Sequence, residues 1–335
     1  MNRRLYLAAL SCLTLAACAG AAITSQPWRN ALPDSPWQAV EVDTRTIGLG
    51  LPLGSRLAEG VRFAGGVQVL TPTLSPVRSL SDLKLLGTDG FVTVSDKGEL
   101  VQGRIELDAA GQLVGLGQWR SRRLTLSDGQ PITEKIDGDA EGLAILSNGD
   151  LLVSFEGTHR IWNYGPLDNM RLPVSMVRPV WPFGDNEGME ALASSGSAEE
   201  ARDSGWLVGG ETGGIWDCHA IVEPTCTLVR MPPNQPLKVS DYRTTGMDRD
   251  PDGRGWWIVQ RAYTPPMDAR ARVRRMDEGG TLGPVMVELK LPATTDNFEG
   301  IAATKRDGKT RLYILSDDNE NPLQRTLMLA FDVTP

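Results

Sequence analysis

Histidine, basic charge and long apolar runs are all scarce in this chain, and each shortage excludes a class of function. Only two histidines, His159 and His219, occur among 335 residues, so ligands for a zinc site are lacking and these two are the only candidates for a serine–histidine pair. The formal net charge of −8 argues against nucleic-acid binding, which requires a basic surface. After the N-terminus, no apolar stretch approaches the roughly 20 residues of a transmembrane helix.

Helical periodicity is also scarce, whereas turn-forming residues are frequent. The chain has 36 glycines and 22 prolines, which suits many tight turns between short strands. Short apolar runs alternate with turn sequences such as Asp96-Lys97-Gly98, a pattern typical of antiparallel strands. We therefore predict a single all-β domain over residues 41–335.

The first 17 residues have the features of an export signal. Two arginines precede an apolar stretch that ends in Leu15-Ala16-Ala17-Cys18 and is too short to span a bilayer. This ending resembles the lipobox of bacterial lipoproteins, in which cleavage before the cysteine is followed by its acylation. We predict a signal peptide (1–17), lipidation of Cys18, a tether (18–40) and membrane anchoring in the bacterial cell envelope, on the periplasmic or outer-membrane side. An ordinary secretory signal cut after Ala17 is the alternative.

Two further cysteines, Cys218 and Cys226, lie in the predicted domain. Export to an oxidising compartment and their short separation favour a local disulfide. A zinc site that also used His219 is the alternative, but it lacks ligands.

A glycine that opens a short apolar run recurs at positions 142, 188, 246 and 300. This interval is typical of a β-propeller, because each blade is a four-stranded unit of about 40 to 50 residues. With the stretch 47–70 counted toward one further blade that the C-terminus completes, we predict six four-stranded antiparallel blades, and five or seven are the alternatives. The other five blades are predicted to open near Ser81, Glu141, Glu187, Thr245 and Glu299.

Acidic residues recur at two places in these units. Glu141, Glu187 and Glu299 directly precede the recurring glycine, and further polar residues follow the second strand of each unit. In an antiparallel meander, the start of the first strand and the end of the second lie at the same edge of the sheet. We therefore predict that both sets meet at one mouth of the central channel. The residues that follow the second strands are Asp96, Glu156, Glu211, Arg261, Asp317, Asp318 and Asn319.

Crowded carboxylates without histidine or thiolate favour a hard cation, and we predict Ca²⁺. The predicted roles divide these residues into three groups. The alternative is that the acids pair with arginines such as Arg261 and brace the blades. Metal ligands are predicted at Glu141, Glu187, Glu299 and Asp317, ligand contacts at Asp96, Glu156, Glu211, Asp318 and Asn319, and catalytic groups at Glu187, Arg261 and His159. His159 follows Glu156 closely and is predicted to act as an acid–base or to orient a substrate, with a structural loop role as the alternative.

Several of these segments resemble the phytase-like β-propeller family, which is labelled "esterase-like activity of phytase". The resemblance runs from roughly Arg78 to Phe331, and its most specific part is the segment 315–326. One departure is Asp82, where the family usually has glycine. Other segments that carry the resemblance are Phe91-Val92-Thr93-Val94-Ser95-Asp96-Lys97-Gly98, Asp139-Ala140-Glu141-Gly142-Leu143-Ala144, Glu187-Gly188-Met189-Glu190-Ala191-Leu192 and Asp296-Asn297-Phe298-Glu299-Gly300-Ile301.

The resemblance implies a propeller fold, an exported location and hydrolysis of a phosphoester or ester. Two functions follow from the residues and the resemblance together. The first is a metal-assisted hydrolase of a small-molecule ester or phosphoester, anchored to the membrane by lipid. The alternative is a non-catalytic lipoprotein that binds a ligand or an envelope partner at the same mouth.

Overall fold

The computed structural model describes residues 37–184, 187–196, 205–220, 224–264 and 268–334. The predicted signal peptide, Cys18 and most of the predicted tether lie outside these residues. Within the described ranges, no helix combines the length and the apolar composition needed to cross a membrane.

The described chain begins with four strands that form no blade of their own. The first of them already pairs with a later strand of the propeller, so the fold begins slightly before residue 41. A short 3-10 turn (Pro52–Gly54) separates the second strand from the third. The strands are β1 (Gln38–Ala39), β2 (Asp43–Thr46), β3 (Ser55–Leu57) and β4 (Val61–Leu70).

The next sixteen strands form four blades, each an antiparallel meander of four consecutive strands. A short helix, α1 (Lys135–Gly138), lies between the first and second blades. Blade 1 comprises β5 (Leu80–Leu86), β6 (Gly90–Ser95), β7 (Glu99–Leu107) and β8 (Leu113–Arg123), and blade 2 comprises β9 (Ala140–Ile145), β10 (Asp150–Phe155), β11 (Arg160–Pro166) and β12 (Val174–Ser175). Blade 3 comprises β13 (Met189–Ser194), β14 (Trp206–Gly210), β15 (Ile215–His219) and β16 (Thr225–Arg230), and blade 4 comprises β17 (Arg243–Arg249), β18 (Trp256–Thr264), β19 (Asp268–Met276) and β20 (Leu282–Lys290).

The last blade joins the two ends of the described chain. Blade 5 comprises β21 (Asn297–Arg306), β22 (Lys309–Asp317), β23 (Leu327–Val333) and the N-terminal strand β4. Strand β4 pairs antiparallel with β23, β2 pairs with β4, and β3 pairs with β20 at the edge of blade 4.

The prediction of six blades is therefore wrong for the described residues, which form five. The stretch 47–70 does not begin a further blade, because β4 supplies the missing outer strand of the blade that opens at Glu299. The inner strands β5, β9, β13, β17 and β21 contact one another in succession, and β21 returns to β5. The ring closes with five members.

The hydrophobic core is divided among the interfaces between blades. Each of the five apolar clusters lies between two neighbouring blades, and burial of large side chains there stabilises the ring. Trp206 and Trp216, for example, pack between blades 2 and 3, and Trp257 packs between blades 4 and 5.

The predicted disulfide is present in blade 3. Cys218 of β15 and Cys226 of β16 face each other across the hairpin, with an S–S distance of 2.01 Å. A zinc site at these two cysteines is therefore excluded.

Candidate functional site

Each inner strand contains a β-bulge, and four of the five bulges include an acidic residue that faces the central channel. In β13, β17 and β21 the pairing register skips one residue, which is Glu190, Thr245 and Glu299 respectively. The register shifts in β5 and β9 include Asp82 and Glu141. A bulge re-aims a side chain out of the regular alternation of a strand, so these five positions are equivalent in the five blades.

The residue after the bulge explains the recurring glycine. A Cβ at Gly246 would lie 2.3 Å from the carbonyl oxygen of Glu299, and one at Gly300 would lie 2.6 Å from the main chain of Asp82. At Gly246 and Gly300 the inner strands of neighbouring blades therefore approach too closely for a side chain. Blade 3 has the small residue Ala191 at the equivalent position.

The equivalence of bulges corrects one predicted position. Glu190, which the sequence analysis missed, occupies the place expected for Glu187. Glu190 is buried, whereas the side chain of Glu187 is 42% exposed and its Oε1 lies 3.3 Å from Nη1 of Arg243. Glu187 thus lies on the rim of the mouth, and Glu190 lies within it.

Three carboxylates of blade 2 form the tightest cluster at the mouth. Asp139, Glu141 and Glu156 each offer an oxygen, and these oxygens all lie within 4.8 Å of one another. Glu156 follows β10, and its main-chain nitrogen donates to the main-chain carbonyl of Asp139, which precedes β9. This bond holds the end of β10 beside the start of β9. Glu141 and Glu156 meet as predicted, and Asp139 was missed because it belongs to no repeat.

Arg261 lies at the centre of the remaining acids. Its Nε is 3.1 Å from Oε1 of Glu299, and its Nη2 is 3.5 Å from Oε1 of Glu211. Arg243 extends this network, with Nη1 3.0 Å from Oε2 of Glu211. Much of the positive charge at the mouth is therefore engaged by carboxylates of blades 3 and 5.

Blade 1 contributes Asp96, whose Oδ2 lies 3.0 Å from Nζ of Lys135 in α1. Lys135 also contacts Asp139, again at 3.0 Å. The other carboxylate oxygen of Asp96 is buried without a hydrogen-bond partner among the described residues. This arrangement leaves an acceptor at the mouth unsatisfied.

Of the residues predicted in blade 5, Asp317 lies at the mouth, whereas Asp318 makes contacts that link two blades. Asp317 is buried and accepts a bond from the main-chain nitrogen of Asn319 at 2.7 Å. Asp318 instead accepts from Nε of Arg78 at 3.0 Å and from the main-chain nitrogen of Ser79 at 3.2 Å. Its contacts link blades 5 and 1, as the bracing alternative expects.

Burial and mutual repulsion disfavour the ionisation of four carboxyl groups of the mouth. Burial, followed by the charges of Glu190 and Glu299, raises the pKa of Glu141 well above its usual range. Burial, followed by Glu211 and Glu299, does the same to the pKa of Glu190. Burial and then Asp139 raise the pKa of Glu156 to about 7. Burial and then Glu299 raise the pKa of Asp317.

The pKa of Arg261 shifts in the direction that favours its charged form. Burial acts to lower its pKa, but the surrounding acids, led by Glu299 and Glu190, outweigh burial and raise it. Arg261 is therefore a fixed cation, and the mouth favours positive charge.

His159 lies beside the mouth rather than within the cluster. Its Nε2 is 3.0 Å from the carbonyl oxygen of Gly184, and its ring packs against Phe183 at 5.5 Å between centroids. Both partners belong to the segment that leads to Glu187, so His159 supports the rim.

Deeper in the channel, a second charged group is fully paired. Asp82 accepts bonds from Nζ of Lys84 at 2.6 Å and from the main-chain nitrogens of Leu83 at 2.7 Å and Leu143 at 2.8 Å. Asp248 accepts from the main-chain nitrogen of Ala303 at 2.8 Å. We call Asp82, Lys84 and Asp248 the channel interior.

The mouth suits a hard cation by its donor chemistry. Its donors are carboxylate oxygens, which Ca²⁺ and Mg²⁺ prefer. The unpartnered oxygen of Asp96 and the three clustered carboxylates offer more acceptor capacity than Lys135, Arg243 and Arg261 satisfy.

Three solved structures are similar to this chain over most of its length. A putative gluconolactonase is 14% identical, with 89% of this chain and 95% of that chain covered at a TM-score of 0.45. The major Malassezia sympodialis allergen Mala s 1 is 12% identical, with 86% and 92% covered at a TM-score of 0.41. AofleA from Arthrobotrys oligospora is 11% identical, with 82% of each chain covered at a TM-score of 0.41.

No curated protein sequence matches the chain. A family does match: the one described as "Phytase-like: Esterase-like activity of phytase" matches residues 75–320. This range is most of the chain and includes all the mouth carboxylates described above. The protein therefore belongs to the phytase-like, esterase-like-activity-of-phytase family.

Proposed function

We propose that this protein is an exported, lipid-anchored propeller that binds Ca²⁺ at its mouth and hydrolyses a small phosphoester or ester. The observation that carries the proposal is the carboxylate cluster of Asp139, Glu141 and Glu156, whose oxygens lie within 4.8 Å of one another. Membership of the phytase-like family supports hydrolysis, and the lipobox-like Leu15-Ala16-Ala17-Cys18 supports the anchor.

The residues of the mouth divide into three roles in this proposal. Asp139 and Glu141, with Glu299 and Asp317 nearby, would hold the cation. When bound, Ca²⁺ would neutralise an anionic substrate and polarise a water molecule.

Glu156 is the proton-transfer group in this proposal, because burial raises its pKa to about 7 in the cation-free mouth. A bound cation would lower that pKa. Glu187 is exposed on the rim beside Arg243, where the two can contact an arriving substrate.

Calorimetric titration with Ca²⁺ and a panel of ester and phosphoester substrates test this proposal. Glu141→Gln should weaken Ca²⁺ binding and abolish hydrolysis, whereas Glu187→Gln should lower hydrolysis and leave Ca²⁺ binding nearly unchanged. Asp307→Asn is the matched control, because Asp307 is 88% exposed in the turn at the opposite end of blade 5. No binding at millimolar Ca²⁺ would refute the metal site.

A second candidate function is supported by the ion pairs of Arg243 and Arg261. Arg243 pairs with Glu187 and Glu211, and Arg261 pairs with Glu211 and Glu299. This network of ion pairs favours a rigid binding site over a mobile catalytic one. A non-catalytic ligand-binding lipoprotein would bind Ca²⁺ and show no turnover of any substrate in the same panel.

The proposed anchor has its own test. Cys18→Ser should move the protein from the membrane fraction to the soluble fraction, and mass spectrometry of the native protein should find acyl chains on Cys18. A native protein that is soluble with unmodified Cys18 contradicts the lipoprotein proposal without affecting the mouth.

A further inference from the structure

A cleft between blades 3 and 4 has the opposite charge character to the mouth. It encloses about 340 Å³, enough for a small metabolite. Three arginines line it: Arg230 at the end of β16, and Arg272 and Arg274 on one face of β19. In a chain with a net charge of −8, three arginines around one cleft call for a physical reason.

These arginines are held by neutral partners. Nη1 of Arg230 donates to the carbonyl of Gly280 at 3.2 Å, Nε of Arg272 donates to Oε1 of Gln260 at 2.8 Å, and Nε of Arg274 donates to the carbonyl of Gly283 at 2.7 Å. Among the residues that the structure describes, none of the three forms an ion pair with a carboxylate. Elsewhere in the protein, arginines such as Arg311 and Arg325 are paired.

The partners also fix the direction of the guanidinium groups. Gln260, which holds Arg272, donates in turn to the hydroxyl of Thr244 at 3.2 Å. The guanidinium carbon of Arg272 lies 4.0 Å from the centre of the Tyr242 ring. Because Nε is the bonded atom, both terminal nitrogens of Arg272 remain available for a ligand. This preorganisation lowers the entropy lost on binding.

The positive charges of the three arginines are not balanced by acidic side chains in the cleft. Asp241 also lines the cleft, but its Oδ2 accepts from the main-chain nitrogen of Lys238 at 2.8 Å. Glu288 lies nearby and is paired with Arg56 at 3.0 Å. Burial and then the charge of Arg230 lower the pKa of Arg274, which is the signature of cations that repel one another.

We propose that this cleft binds a small molecule through an oxyanion group, either a phosphate or a carboxylate. Nη2 of Arg274 also donates to the carbonyl of Leu282 at 3.4 Å, so both terminal nitrogens of Arg272, Nη2 of Arg230 and Nη1 of Arg274 remain for a ligand. Guanidinium groups bind oxyanions in charge-assisted hydrogen bonds. The site is distinct from the carboxylate mouth and does not depend on the proposed hydrolase activity. The two are neighbours, since Thr212 follows Glu211 and Gln260 precedes Arg261 in the chain.

Calorimetric titration of the full chain with inorganic phosphate and with acetate, in EDTA and at low ionic strength, tests the proposal. Wild-type protein should bind at least one of the two anions with a Kd below about 10 mM. Tighter binding of phosphate would assign a phosphate ligand, and tighter binding of acetate a carboxylate. If neither anion binds in this range, the proposal is wrong.

Two variants, one double and one single, locate the binding. Arg272→Gln with Arg274→Gln should weaken it by about tenfold or more, and Arg230→Gln alone should weaken it less. Arg230→Gln also guards against a double variant that fails to fold, since Arg230 is held by a single main-chain carbonyl. Thermal unfolding of each variant checks that it is folded.

Two controls separate the cleft from other sites. Arg275→Gln removes the same charge from the next residue of β19, which faces Asp250 at 3.6 Å instead of the cleft, and should leave anion binding unchanged. Glu141→Gln should also leave it unchanged. Binding that survives in the arginine double variant, or that disappears in Glu141→Gln, would overturn the proposal.

Discussion

The mouth and the interior of the same channel use acidic residues in opposite ways. In the channel interior, Asp82 occupies the bulge position of blade 1, and its carboxylate accepts bonds from Lys84, Leu83 and Leu143. At the mouth, Glu141 and Glu190 occupy the same position in blades 2 and 3, and neither accepts a hydrogen bond from any described residue.

This difference separates a structural role from a binding role. A buried carboxylate that is fully paired links the strands that donate to it, here β5 and β9. Buried carboxylates without partners repel one another and are costly, so they persist only where something else balances their charge. We infer that the interior fixes the ring of blades and that the mouth is poised for a cation. The following predictions test that contrast.

The largest effect is expected at the channel interior. Asp82→Ala leaves Lys84 buried without its ion-pair partner, since their side chains are 0% and 5% exposed. Loss of one partner of a buried pair should lower the free energy of unfolding by about 3 to 5 kcal/mol. Denaturant unfolding near pH 8, where the carboxylate is ionised, measures the change.

Asp89→Ala in the same blade is the control for that measurement. Asp89 pairs with Arg104 on the surface, where both side chains are substantially exposed. Its loss should leave the free energy of unfolding nearly unchanged, because solvent screens an exposed ion pair. Equal effects of the two variants would mean that the interior pair has no special structural role.

Arg261→Gln should produce the next largest effect, because it removes the cation that contacts Glu211 and Glu299. We expect a loss of about 1.5 to 3 kcal/mol in the free energy of unfolding. Millimolar Ca²⁺ should restore part of that loss, because a bound cation can replace the missing positive charge. Thermal unfolding with and without Ca²⁺ measures both effects.

Arg254→Gln serves as its control, since Arg254 is 49% exposed and pairs with Asp252 away from the mouth. Its destabilisation should be small, and Ca²⁺ should raise its Tm only as much as it raises the Tm of wild type. If Ca²⁺ fails to stabilise the Arg261 variant more than this control, the mouth does not favour cations.

Sequence patterns correctly predicted contacts between residues that are close in the chain, but not the pairing of strands that are far apart in it. The propeller class, the disulfide of Cys218 and Cys226 and the meeting of Glu141 with Glu156 follow from short spacings or from the meander rule, and all three are present. The blade count depends on β4 pairing with β23. The joining of the two ends was predicted, but as a further blade, and no local pattern shows that β4 instead completes the blade that opens at Glu299.

Glu190 was missed for a physical reason that the sequence does contain. The glycine of the signature is required because the strands touch there, and alanine meets that requirement in blade 3. A pattern of apolar residue, acid, small residue and apolar residue would have aligned Met189-Glu190-Ala191-Leu192 with Ala140-Glu141-Gly142-Leu143. Lys135 and Arg243 give no such signal, because they belong to no repeat.

Glu190→Gln should give a smaller effect of the opposite sign to Asp82→Ala. It removes a buried group whose ionisation Glu211 and Glu299 oppose, so the free energy of unfolding should rise by about 1 kcal/mol at a pH high enough to ionise Glu190 in the wild type. The comparison is direct, because both residues occupy the bulge position. A destabilisation of several kcal/mol would show that Glu190 is paired as Asp82 is.

The smallest effect concerns the pH dependence of stability, to which Glu156 should contribute. Its pKa rises from an ordinary 4.5 to about 7 in the folded protein, so the folded state binds more protons than the unfolded state between these values. Its contribution to stability is therefore complete below pH 4.5 and is lost as the pH rises to about 7. Because Glu156 is partly exposed, we expect less than about 1 kcal/mol.

The measurement compares denaturant unfolding of wild type and Glu156→Gln at pH 4.5 and pH 8 without divalent cations. Wild type should lose more stability than the variant over this interval. Burial also raises the pKa of Asp82 to about 7, but Asp82 is present in both proteins, so the difference between them reports Glu156. Asp307→Asn should follow wild type. Saturating Ca²⁺ should abolish the difference at pH 8, because a cation at the mouth offsets the charge that Glu156 acquires there. An unchanged difference would place the cation away from Glu156 and would separate the acidic mouth from the metal site.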